Sequence, residues 1–569
     1  MCCRNPFISD PQNMYTYNHI DQKLVEDRVS QFGDQMERFL QGRLSEDDFR
    51  PLRLQNGVYV QRHSPMLRVA IPYGTLSSRQ MRKLAQISRR YDRGYGHFTT
   101  RSNIQFNWVR LEETPEILAE LARVQMHAIQ TSGNCVRNIT CDPFSGVAQD
   151  EIFDTRPYAE IVRQWSTLAP EFTFLPRKFK IAFSGGAEDR AAVGFYDIGA
   201  RARVSDDGRR GFEIFVGGGL GRTPMLGQRL KSFLPQEELL NYFDAILRIY
   251  NRYGRRDNKY KARIKILVKD LTLEGFAHEV DAEWRNAQGG PDTISSATIG
   301  AMEAFFAGPN YSEVPATDAG IAAPQQANRS FARWVERNVS PHRLPGYAIV
   351  TLSLKRSGTP PGDATGDQMD LVAELADRFS AGEIRVSHEQ NLVLPHVARK
   401  DLFALWTQAS VLGLTTSNIG LLTDVVCCPG GDFCSLANAR SIPVAAAIQE
   451  RFDNMDYLFD LGPLELNISG CVNACGHHHI GHIGILGVDK NDQEWFQVTL
   501  GGREGNLAKL GKVIGPSFAA ADIPEVIGKL LGVYVAQRHQ GEIFIDTLER
   551  IGLDPFKASV YGGQHGTAN

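Results

Sequence analysis

The chain is written twice, and this constrains its fold more than any other feature. Residues 80–109 (QMRKLAQISRRYDRGYGHFTTRSNIQFNWV) align without gaps on 368–397 (QMDLVAELADRFSAGEIRVSHEQNLVLPHV). Gln80, Met81, Ala85, Arg90, Gly94, Asn103 and Val109 meet identical residues there. Further along, FEIFVGGGLGRTPMLG (212–227) pairs with FQVTLGGREGNLAKLG (496–511), and FSGG (183–186) pairs with ISGC (468–471). The three matches keep their order and nearly their offset. They define two copies of a module of roughly 280 residues, far longer than the roughly 20–50-residue period of a solenoid. Such a duplication sets two halves about a pseudo-twofold axis. A bound group can sit at the junction, and each half is free to specialise.

Within a copy the patterns are mixed α and β. Residues 80–90 read as a helix from the spacing of Met81, Leu84, Ala85 and Ile87. A strand over 98–108 follows, with Phe98, Ile104, Phe106 and Trp108 on one face and Arg101 among amides and hydroxyls on the other. The aperiodic, Pro- and Gly-containing segment 306–330 is expected to connect the copies, 357–366 to be a surface loop, and the Gly-rich tail after Lys557 to be frayed.

Composition narrows the function. Lys and Arg number 62 against 65 Asp and Glu, a net charge of −3, which disfavours a nucleic-acid binder without excluding a local basic pocket. No apolar run reaches the roughly 18–20 residues of a membrane span, and MCCRNPFISD lacks the apolar core of a secretory signal. A cytoplasmic location is therefore expected. Nine cysteines in 569 residues are too few for a disulfide scaffold. Five of them fall between 427 and 475.

Those five form a pattern. The second copy carries VVCCPGGDFCSLANA (425–439) and SGCVNACGHHH (469–479), giving Cys428-x5-Cys434 and Cys471-x3-Cys475, with Cys427 offering a competing x6 spacing. Four clustered thiolates suit an iron–sulfur cubane or a structural zinc, and the x5 gap is long for a zinc knuckle. Buried free thiols are the plain alternative. His477, His478, His479 and His482 follow directly, without separate knuckles, and read as local packing and polar contacts. Cys135 and Cys141 read as buried thiols.

The first copy has the same Ser-Gly turn but no such cysteines. It carries cations at strand spacing instead. In LPRKFKIAF (175–183), Phe179, Ile181 and Phe183 point one way and Lys178 and Lys180 the other. CVRNITCDP (135–143) adds Arg137. Two ammonium groups on one face repel unless an anion or water lies between them.

Together these motifs resemble the siroheme-containing sulfite and nitrite reductases, most closely the assimilatory sulfite reductase hemoprotein (beta) component. The resemblance rests on the two cysteine pairs, TTRSNIQFN, VRNITCDP, LPRKFK and the duplication, and runs from about residue 55 to 555. It implies an α+β fold in three domains about a pseudo-twofold axis. After an N-terminal arm (1–60), ferredoxin-like half-domains would span 61–129 and 344–410. The larger α/β copies would span 130–343 and 411–556, before a tail (557–569). It also implies siroheme and a [4Fe–4S] cluster at the junction. Cys428, Cys434, Cys471 and Cys475 would hold the cluster, Cys475 would bridge it to the siroheme iron, and Gln390 and Asn473 would lie near the siroheme. Arg101, Arg137, Lys178 and Lys180 match the family's substrate-anion cations. Siroheme carries eight carboxylates, so its pocket must supply cations and hydrogen-bond donors.

The reaction implied is six-electron reduction of sulfite to sulfide. Lys180 separates the branches: the resemblance implies lysine at both positions of R-K-x-K in sulfite reductases and a neutral residue at the second in plant-type nitrite reductases. Reduction of nitrite to ammonia is the alternative, and a non-catalytic Fe–S or zinc protein is the rival from another class. No FAD, FMN or NADP motif is present; VGGGLGR (216–222) has the wrong spacing and a counterpart in LGGREGN (500–506). Electrons are therefore expected from a partner, whether a flavoprotein reductase, a ferredoxin or a flavodoxin. RRYDR (89–93) and NRYGRRDNKYKAR (251–263) are its candidate docking runs.

Overall fold

The computed structural model describes residues 14–15, 17–167, 169–312 and 319–562. Cys2 and Cys3 lie outside them. The fold is mixed α+β, and the duplication is visible in every layer.

Two five-stranded antiparallel sheets form the half-domains. One runs Val58–Val60, Pro65–Val69, Ile104–Phe106, Tyr95–Phe98, Asp363–Thr365. The other runs Val339–Pro341, Tyr347–Leu352, Leu392–Ala398, Glu383–Val386, Thr75–Ser77. The last strand of each comes from the opposite copy. Asp363–Thr365 pairs with Tyr95–His97, and Thr75–Ser77 pairs with Glu383–Arg385. The copies are thus bound by a reciprocal strand exchange that also closes one edge of each sheet. Each lent strand runs straight into a helix, Ser78–Tyr91 or Gly366–Phe379, and the two helices pack on each other. Both helices start with a capping box, Ser77 with Gln80 and Thr365 with Gln368. This is the physical reason the repeat keeps that glutamine.

The α/β copies are equally matched. Thr140–Cys141, Ile181–Ser184 and Ile198–Val204 run parallel, followed by antiparallel Arg210–Val216 and Gln228–Pro235. Val426–Cys427, Leu466–Ser469, Ile483–Lys490, Gln493–Leu500 and Lys512–Val513 repeat that order and those directions. The duplicated glycine turns correspond too, with Gly217 and Gly501 both at positive φ. One apolar core runs through both half-domains and the first α/β copy; a second fills the other α/β copy.

The structure departs from the sequence reading in five places. The strand expected over 98–108 is a hairpin: Tyr95–Phe98 turns through Thr99–Ser102 into Ile104–Phe106, closed by Ser102 N–H to Thr99 O and Thr99 N–H to Asn103 O. Segment 306–330 contains the helix Ala319–Ala327, with 313–318 outside the described residues. Residues 357–366 are not all loop, because they include the exchanged strand Asp363–Thr365. The helix Asp554–Tyr561 carries the chain past Lys557, and residues 563–569 lie outside the described residues. The N-terminal arm holds two helices, His19–Leu40 and Glu46–Gln55, whose Phe32, Phe39 and Phe49 stack, and its end, Val58–Val60, is a sheet strand.

Candidate active site at the junction of the copies

The Thr99–Ser102 turn of the first copy reaches across to the cysteines of the second. Thr100 Oγ1 donates to the Cys475 carbonyl at 2.7 Å. The chain before it also grips the second copy. Arg62 N–H and Nη1 donate to the Phe433 and Gly431 carbonyls, and Gln61 Oε1 accepts from Ser435 N–H. The backbone of the cysteine loops of one copy is therefore positioned by contacts from the other.

The four expected cysteines converge electrostatically: Cys428, Cys434 and Cys471 each sense the charge of Cys475. Burial pushes Cys428 up to about 12 and raises Cys434 and Cys471. Buried thiols of this kind become thiolates when a metal supplies positive charge. Gly470 N–H donates to Cys428 Sγ at 3.2 Å, and Asn473 offers backbone and side-chain donors to Cys471. Glycines shape the cradle. A Cβ at Gly476 would collide with the Ile468 carbonyl, and one at Gly430, itself at φ +56°, with Ser441 Oγ. Among the described residues no three His, Cys, Asp or Glu side chains converge on a single-ion site. A cubane places one thiolate at each of its irons and needs no such convergence. Cys427 ends the strand Val426–Cys427, and Cys428 lies just past it. Cys427 packs into the apolar core, while Cys428 faces Ser441, Gly470 and Cys475.

The cations line the facing wall. Phe179, Ile181 and Phe183 are fully buried, and Lys178 and Lys180 stand half-buried on the other side. Arg101 donates to Thr140 Oγ1 (2.8 Å) and the Asn138 carbonyl (2.6 Å), and its guanidinium lies 4.5 Å from the Tyr196 ring centre. Arg137 donates to the Thr131 and Gly133 carbonyls. Among the described residues none of these four cations pairs with a carboxylate, and neither lysine Nζ has a hydrogen-bond partner. Burial pushes Lys178 down to about 8, against the pull of Cys475. Lys180 falls well below the ordinary lysine value, with Arg101 and Lys178 adding to burial. Unpaired positive charge in a buried cleft is the chemistry of a site for polyanions, so the residues fit a carboxylate-rich macrocycle beside a small anion.

Other expected residues fall differently. Gln390 does not point into the cleft: its amide bonds to the Phe98 and Cys427 carbonyls (2.8 and 3.0 Å) and accepts from Cys427 N–H (2.8 Å). It staples the half-domain hairpins to the strand preceding Cys428. Asn473 is exposed beside Cys471. Cys135 is half-buried on the Ser132 carbonyl, and Cys141 is buried against Ser145 and Thr155. In the histidine run, His477 faces Lys180, Arg101 and His388, His479 bonds the Gly221 carbonyl, and His482 accepts from Glu465 N–H. Of the basic runs, Arg89, Arg90 and Arg255 form salt bridges, and Arg263 turns inward to Asp197. Sequence reasoning missed Tyr196 and His388. Tyr196 lies in no motif, and His388 occupies the position that is Thr100 in the first copy.

The geometry agrees with similarity to known proteins. The nitrite and sulphite reductase 4Fe-4S domain family matches residues 132–287 and 420–565, and the nitrite/sulfite reductase ferredoxin-like half domain matches 59–124 and 356–409. The ferredoxin–nitrite reductase of Synechococcus elongatus is 30% identical over 82% of this chain and 85% of its own. A sulfite reductase [ferredoxin] of Mycobacterium tuberculosis is 28% identical over 86% and 83%. The solved structure of the Mycobacterium tuberculosis NirA protein superposes with a TM-score of 0.75 at 25% identity, covering 94% of this chain and 97% of that one. With both domain types matched twice, in the order the duplication predicts, the chain is an oxidoreductase of the nitrite and sulfite reductase family, with that family's siroheme and [4Fe–4S] cofactors.

Proposed function

We propose that the protein is an assimilatory sulfite reductase that takes sulfite to sulfide with electrons from a separate donor protein. The observation that carries this reading is the pair Lys178 and Lys180, two unpaired ammonium groups on the segment leading into the strand Ile181–Ser184, beside Arg101 and Arg137. Sulfite carries up to two negative charges near neutrality and nitrite one, so the second ammonium favours sulfite.

In this reading Cys428, Cys434, Cys471 and Cys475 would hold the cluster, and Cys475 would also serve the siroheme. The cofactors supply the electron-transfer chemistry. The chain supplies position, field and protons. Arg101 and Arg137, whose backbone hydrogen bonds pin their planes, orient the anion. Lys178 and Lys180 offset its charge, and the burial that lowers the pKa of both makes each a readier proton donor to a substrate oxygen. Asn473 tunes the Cys471 thiolate, and Gln390 acts by holding the strand that presents Cys428. A ferredoxin-type carrier is the donor favoured by the relatives' names.

The test is kcat/KM for sulfite and for nitrite with reduced methyl viologen, in wild type and Lys180→Asn. The expected result is a preference for sulfite that the substitution erodes by about tenfold or more, the scale of one general-acid contact. Equal loss on both anions removes the argument from Lys180, and a wild-type preference for nitrite overturns the substrate.

A further inference from the structure

The pseudo-twofold axis that builds the cationic site also builds its counterpart, and there the charges are inverted. Arg101 at the first hairpin tip corresponds to Glu389 at the second. Lys180, whose N–H donates to Asp197, corresponds to Glu465, whose N–H donates to His482. Asn138, bonded to Asn103, corresponds to Asp424, bonded to Asn391. Glu389, Glu465, Asp424 and Glu504 line a cavity of about 190 Å³ on this side, together with Arg190, whose charge is paired to Asp142 and Asp150. Such a pocket repels anions and collects protons.

A dyad leads from it toward the cationic site. Glu504, on the cavity wall, meets His388 Nε2 at 2.6 Å, and His388 is only 7% exposed. Beyond it stands Tyr196, 2% exposed, whose hydroxyl has no hydrogen-bond partner although Arg101 lies over its ring and Lys180 Nζ is 5.7 Å from the ring centre. A buried hydroxyl without a partner is unusual.

We propose that Glu504, His388 and Tyr196 form a proton relay that carries protons from the acidic cavity to the cationic substrate site. This rests on the reading of the protein as an anion reductase that consumes protons at every two-electron step. Lys180 gives a proton to a departing substrate oxygen. The Tyr196 O–H passes its proton to the emptied Lys180 Nζ and takes one from His388, which is refilled from Glu504 and the water of the cavity. No electrons move in this path. The groups facing His388 are Glu389, Glu504, Glu465, Tyr196 and His477; the carboxylates hold His388 protonated, well above the ordinary histidine value, even though burial opposes the charge. Burial and its acidic neighbours push Glu465 up to about 8.

These are positioning residues, and the test is built accordingly. Holoenzyme carrying Glu504→Gln, His388→Ala or Tyr196→Phe is compared with wild type on whichever of sulfite and nitrite the wild type reduces. The expected result is a kcat lowered by about tenfold or more with KM within about twofold, a larger solvent deuterium isotope effect, and an alkaline limb moved to lower pH. Added imidazole should restore kcat in His388→Ala. Equilibrium binding of the anion to the resting enzyme, read from the visible spectrum, should stay unchanged. Unchanged kcat and isotope effect in Glu504→Gln and Tyr196→Phe overturn the relay and leave the anion-reductase reading standing. A parallel loss of anion binding without imidazole rescue overturns it in favour of a structural role. A wild type that reduces neither anion overturns both.

Discussion

At the scale of single residues, neighbouring side chains are given opposite tasks. Cys427 and Cys428 are adjacent in sequence and face opposite sides, one into the core and one toward Cys475. Cys428→Ser should abolish activity and leave purified protein deficient in iron and acid-labile sulfide. Cys427→Ser should retain both, since it exchanges one buried thiol for a hydroxyl outside the cradle. Metal and sulfide analysis checks this directly, and a cluster lost equally in both variants would refute the assignment. Lys178 and Lys180 stand half-buried opposite buried Phe179, Ile181 and Phe183, and the period of two in LPRKFKIAF makes that legible in the sequence itself. The part played by Gln390 was not legible there. A buried glutamine at a hairpin tip reads as a cofactor contact until its hydrogen bonds to Phe98 and Cys427 are seen.

At the scale of elements, the exchanged strands are the device that joins the copies. Glu383 opens the strand that receives Thr75–Ser77. Its carboxylate meets Arg385 Nε at 2.7 Å, Arg156 Nη1 at 3.2 Å and His396 Nε2 at 3.0 Å, ties from both copies to one buried point. Glu383→Ala strands the buried Arg385 guanidinium, while Arg156 keeps Asp154, and should destabilise the fold by about 3–5 kcal/mol. A depressed Tm with unaltered secondary structure checks it, and a Tm within a degree of wild type would show the network to be dispensable. The hairpin at 95–106 explains why sequence alone extended that strand. Its turn uses Ser102 at φ +51°, and its counterpart uses Gln390 at φ +64°, where glycine is the usual signal. Alternation also continues in phase through a four-residue turn, so no break in periodicity betrays it.

At the scale of the molecule, buried neutral histidines set the acid limit of stability. Burial holds His127 down to about 3, and His342 and His482 to about 4. The unfolded chain takes up these protons near the ordinary value of about 6.5, whereas the folded chain does not. Stability is therefore complete above that pH and is lost as pH falls through the window between the two values. For His127 alone the loss at pH 5 is about 2 kcal/mol. His127→Gln should narrow the difference between Tm at about pH 7.5 and at about pH 5. An undiminished difference would place the acid sensitivity in other groups. No helix among the described residues is long and apolar enough to cross a membrane.

The sequence by itself determined the duplication, the α+β class, the cysteine pattern and the cationic strand, because each is a local regularity: a repeat, a period or a spacing. Only the tertiary structure decided which strand each copy lends to the other, which of two adjacent cysteines faces the junction, and that the cationic site has an acidic twin. Those facts depend on contacts between residues far apart in the chain, such as Thr100 with Cys475 and Glu504 with His388. Strand periodicity carries no information about which distant surface a residue will meet.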